Sequence, residues 1–199
     1  MQSRPGAGAI LFVLICLMTL WVFLLVEMPL LLGMNPAWTE KIRPYEELLH
    51  LHAVCGVAAL LAGATQFSSE WRRTYPRLHR MAGYVYVGTT ALASPLAIWV
   101  ALQYTPMAEA TAHVSQALIW VVTTVAAFLA IRSRHMPSHQ TWMVRSYALT
   151  LTFVLSRFVT EVLEVRIPAD AGGNATFVWL STILVLLAAD TLVDWNRRA

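Results

Sequence analysis

The side chains that could do chemistry in this sequence are histidines and arginines set into long apolar runs. The clearest stretch is HQTWMVRSYALTLTFVLSR, His139 to Arg157. At 100° per residue His139, Met143, Ser146, Thr150, Phe153 and Arg157 share one helical face, and Arg145 lies on another. A charge at bilayer depth costs at least ~2.5–3.5 kcal/mol, so it faces a partner, a cavity or a ligand. Arg145 and Arg157 therefore each need a reason.

Four histidines add a second pattern. His52, His79, His113 and His139 fall on four consecutive apolar segments, alternating between the two ends. Opposed imidazoles across a helix bundle are what six-coordinate haem b requires, one axial nitrogen from each. On this reading His52 with His113, and His79 with His139, are haem-iron ligands. Arg145 and Arg157 would then meet the propionates, although Arg157 could equally pair with Glu161 one turn on or with Glu27. His50 and His135 have no ligand role, and His79 and His139 could instead be solvated residues of basic turns. A stripe of His52, Gly56, Ala59, Gly63 and Gln66 lies within ~40° of one line. It offers either room for a flat macrocycle or close packing of helices through small residues.

These residues must be held by membrane helices. The chain has 199 residues, 58% of them hydrophobic and 13% charged, with mean hydropathy +0.59, too apolar for an ordinary soluble domain. Six apolar segments read as spans, at about 7–33, 44–67, 80–103, 110–131, 139–164 and 174–194, within a single membrane domain over 1–199. Each has at least the ~20 residues that cross a hydrocarbon core. The first exceeds the core of a cleaved signal peptide and is expected to be retained. Cys16 and Cys55 form no metal or redox motif and read as small apolar residues. With the N-terminus inside, Arg4, Arg72, Arg73, Arg77, Arg80, Arg132, Arg134, Arg197 and Arg198 stand against Lys41, Arg43 and Arg166 outside. The positive-inside rule then places both termini in the cytoplasm.

The segments HRMAGYVYV (His79 to Val87) and His139 to Arg157, with the run from His52 through Gly56, Gly63, Gln66 and Phe67, resemble the bacterial family of predicted membrane proteins called domain of unknown function 2306. The resemblance covers roughly residues 50–160. His79, Arg80, His139, Trp142, Arg145 and Arg157 match its motif positions, and His113 lies outside them. It implies a multipass membrane protein and no particular activity. The alternating histidines also resemble, by layout alone, the di-haem cytochrome b-561 architecture, from which the helix-end position of the inner pair departs.

The expectation is an all-α integral membrane bundle of six transmembrane helices, in a bacterial inner (plasma) membrane. Its leading function is haem-b binding and transmembrane electron transfer. The lipid bilayer and a quinone or other small electron carrier are the expected partners, with no nucleic acid. The alternatives are a small transporter or anion-binding protein using the intramembrane arginines, and a cofactor-free helical accessory protein. No nucleophile–base pair or H-E-x-x-H motif supports a hydrolase. A mononuclear metal site at His79 and His139 lacks a carboxylate or cysteine nearby in sequence.

Overall fold

The computed structural model describes residues 7–165, 167 and 172–198. Arg4, Arg166 and Asp170 lie outside these residues, as do the side chains of Trp38, Arg197 and Arg198. The described chain is helical, with no strand. Four helices among the described residues are long and apolar enough to cross a membrane: Thr39–Thr65, Pro76–Tyr104, Met107–Arg132 and Gly173–Trp195. A shorter apolar helix covers Leu14–Glu27. The helix expected as the fifth span, Met136–Arg157, carries His139, Arg145, Ser146, Thr150 and Thr152. That polar load keeps it out of the apolar group.

The chain divides into two compact units. The first comprises residues to Pro44 together with Phe153–Arg166. It holds α1 (Ala7–Val22), a π-helical turn Phe23–Glu27, α2 (Met28–Leu31) and α3 (Pro36–Ile42). It also takes in a second π-helical turn, Phe158–Val162.

The second unit, Tyr45–Thr152 with Ile167–Ala199, is built from α4 (Glu46–Thr65), α5 (Ser69–Thr74), α6 (Pro76–Tyr104), α7 (Met107–Arg132), α8 (Met136–Arg157, up to Thr152) and α9 (Gly173–Arg198). Local chemistry sets the ends. The Ser68 hydroxyl accepts from the Trp71 N–H at 3.1 Å and caps α5. Pro76 opens α6, where its fixed φ and missing donor cost nothing. Helix α6 therefore starts four residues before the expected Arg80, and His79 falls within its first turn. Helix α8 likewise starts at Met136, with Pro137 in its first turn, three residues before the expected start.

Small residues let these helices approach closely. Ala59, Ala62, Tyr86, Ala127 and Met143 form the buried core, with Ala82, Trp120, Trp142 and Tyr147 packed around it. Gly63 is required there: a Cβ would stand 2.5 Å from the Tyr147 ring and 2.9 Å from the Tyr86 ring.

Candidate functional site

Helix α4 presents His52 to α6, where its Nδ1 lies 2.9 Å from the carbonyl of Ala93. Helix α8 presents His139 to α7, with Nδ1 2.9 Å from the carbonyl of Ala127. A carbonyl only accepts, so in both imidazoles Nδ1 carries the hydrogen, and the lone pair of the neutral ring falls on Nε2. Each has a second histidine within electrostatic range: His113 of α7 for His52, and His79 of α6 for His139. His135 does something else, accepting the Ser138 N–H at 3.3 Å where α8 begins.

Among the described residues no three His, Cys, Asp or Glu side chains gather where they could hold a bare metal ion. Haem iron needs only two axial nitrogens from the protein, and the pairs supply that number. Buried polar atoms without partners accompany both. At the inner pair it is His79 Nδ1 itself; near the outer pair it is the hydroxyls of Thr90 and of Ser94, the residue after Ala93. Buried polar atoms are almost always bonded, so these mark places where water or a ligand completes the site. The small-residue stripe divides. Ala59 is fully buried and Gly63 is filled by the two tyrosine rings, which is packing. Beside Gly56, one turn from His52, a Cβ would meet nothing within 4 Å. At the far end Gln66 donates to the His79 carbonyl at 3.2 Å, tying α4 to the start of α6. Along this stripe there is open space beside Gly56 and none beside Gly63.

Between the pairs lies a buried hydroxyl cluster that sequence reasoning missed. The Tyr86 hydroxyl is 2.7 Å from Ser146 Oγ and 2.8 Å from Thr150 Oγ1, and accepts from Trp120 Nε1 at 3.3 Å. Thr124 extends the cluster, 2.7 Å from Ser146 Oγ. The spacing of Ser146 and Thr150 on one face of α8 was a usable signal; Tyr86, Thr90 and Ser94 repeat it on α6 at four-residue intervals.

The arginines already have acids. Arg145 Nε donates to Asp190 Oδ1 at 2.7 Å, and its guanidinium lies 4.7 Å from the centre of the Trp142 ring. Asp190 was overlooked, although an acid inside the last apolar segment is itself a flag for an intramembrane partner. In the N-terminal unit Arg157 Nε lies 3.0 Å from Glu27 Oε1, and Nη1 lies 3.7 Å from Glu161 Oε1. These are the two carboxylates weighed against a propionate.

Residues 49–193 match the family described as "Predicted membrane protein (DUF2306)", a span that takes in all four histidines and both arginines. No match was found among curated proteins or among solved structures.

Proposed function

The chain belongs to the DUF2306 family of predicted membrane proteins, and from that premise we propose that it is a haem-b-carrying electron-transfer protein. His52 and His113 would hold one haem near one end of the bundle, and His79 and His139 a second near the other. The observation that carries this reading is the shared geometry of His52 and His139. Each is locked by a backbone carbonyl with its Nε2 lone pair uncommitted, and each has a second imidazole in range. Ligating histidines are typically held through the other ring nitrogen in this way, which fixes tautomer and ring orientation.

Haem iron bound by two imidazoles passes single electrons by cycling between ferrous and ferric states. This chain's own contribution is to orient and bury. The carbonyls of Ala93 and Ala127 hold two rings in place, and the hydroxyl cluster around Tyr86 fixes α6, α7 and α8 against one another between the pairs. The electron donor or acceptor would be a membrane-soluble carrier of the quinone class. The membrane would be a bacterial inner membrane, with the basic Arg72–Arg80 and Arg132–His139 segments in the cytoplasm. An anionic substrate is disfavoured, because Arg145 and Arg157 are each neutralised by a carboxylate.

The test is the absorption spectrum of protein produced with ample haem and purified in detergent. Two haems per chain are expected, with a sharp reduced-minus-oxidised band. His52→Ala and His139→Ala should each remove about half of the signal, and His50→Ala and His135→Ala none. A folded but colourless protein would sink the proposal. Reporter fusions placing either basic segment outside would overturn the orientation.

A further inference from the structure

We propose that the groove between α7, α8 and α9 is the binding site for the head of a quinone. The inference deepens the electron-transfer reading, and rests on it, by naming the site of its membrane-soluble partner. The groove is open and offers about 400 Å³. Leu118 and Val122 of α7 and Leu186 of α9 supply apolar walls, and Trp142, Arg145 and Asp190 also line it. Leu118 and Val122 are exposed on the surface of the bundle, so in a bilayer the groove opens to lipid.

The chemistry of the polar side narrows the occupant. Arg145 and Asp190 form a pair of zero net charge at 2.7 Å, and both remain accessible, at 29% and 48% of their side-chain surface. Asp190 engages Arg145 through Nε, which leaves the two Nη groups with hydrogens to donate and the second carboxylate oxygen free to accept. A phosphate head would bring a further negative charge beside the Asp190 carboxylate, a like-charge contact in a medium that screens poorly. A neutral head escapes that repulsion. Quinone carbonyls accept from the Nη groups, and the hydroxyls of the reduced form donate to the carboxylate. The flat ring has the apolar walls to lie against, and the isoprenoid tail leaves towards lipid. Arg145 is six residues from His139, a rise of about 9 Å along α8, so a head seated here lies nearer in depth to the inner histidine pair than to the outer one.

The site can be read by labelling, independently of haem. The full-length protein in lipid nanodiscs is irradiated with a short-chain azido-ubiquinone, and the labelled peptides are mapped by mass spectrometry. Saturable labelling of α7, α8 and α9 is expected, competed by excess unlabelled short-chain ubiquinone. Val122→Trp fills the groove from an exposed position without touching the ion pair. It should lower labelling about tenfold while leaving the helical circular dichroism and elution volume unchanged. Arg145→Gln with Asp190→Asn should do the same without leaving an unpaired charge. Labelling that is non-saturable and spread over the lipid-facing helices would overturn the site. So would undiminished labelling of a folded Val122→Trp variant, or displacement by phosphatidylglycerol and not by ubiquinone. A haem-loaded protein that is not labelled removes this site alone. A colourless protein that labels and competes as described removes the haem reading and leaves the site.

Discussion

Replacing Tyr86 by Phe deletes one hydroxyl from the centre of the bundle and almost no volume, so it isolates what the polar cluster contributes. Three contacts disappear, to Ser146, Thr150 and Trp120. Their partners do not suffer equally. Ser146 keeps Thr124, and Thr150 keeps the Ser146 carbonyl at 3.2 Å. Trp120 Nε1 loses the acceptor it has here. Side-chain hydrogen bonds within membranes average ~0.6 kcal/mol and rarely exceed ~1.7, so three of them contribute about 2 kcal/mol. An indole N–H left without an acceptor adds about 1 kcal/mol more, the lower end of that penalty because Trp120 is only half-buried. The expected loss is therefore about 2–3 kcal/mol. Cys55 supplies the probe, because it is buried at 6% exposure whereas Cys16 is exposed. In a Cys16→Ser background, the reactivity of Cys55 toward a thiol reagent against rising SDS gives the unfolding equilibrium of both proteins. A loss below about 0.5 kcal/mol would refute the argument, since it would show that the cluster holds nothing its neighbours do not hold already.

Two further substitutions follow from the packing and the ion pairs. Gly63→Ala should destabilise by about 1–3 kcal/mol, because its Cβ falls against two tyrosine rings; Gly56→Ala, which meets nothing, should be neutral or slightly stabilising. Equal effects in the same SDS titration would show that the stripe does not divide as described. Arg157→Gln strips the cation from Glu27, whose side chain is only 13% exposed, and should cost ~3–5 kcal/mol, with Glu27→Gln in the same chain restoring most of it. A single variant as stable as the parent would mean that Glu27 is not held by Arg157.

The helical fold was legible because it depends on local periodicity. His52, His79, His113 and His139 lie on α4, α6, α7 and α8, whose short connections leave little freedom in how the helix ends meet. What was illegible depends on contacts distant in the chain. The carbonyls of Ala93 and Ala127 anchor two imidazoles, yet a backbone acceptor leaves no mark on residue type. Asp190 finds Arg145 across 45 positions, a pairing no spacing rule reaches. The helices start at Pro76 and Met136, ahead of the apolar runs, because a first turn can be polar and takes proline without loss.

The two π-helical turns bear on how this chain is compared with its relatives. A single residue inserted into a regular membrane helix rotates everything beyond it by 100°, carrying a buried face into lipid. A π turn confines the extra residue to one loop of backbone, here closed by the Met28 N–H on the Phe23 carbonyl, and the helix resumes at its ordinary pitch. The turn ends at Glu27, the acid that meets Arg157, and Arg157 itself immediately precedes the other π turn. A relative one residue shorter between Phe23 and Glu27 would therefore carry an ordinary α-helical turn there and keep its acid on the same face. A gap at that point in an alignment marks the presence or absence of the π turn, not a loop of variable length.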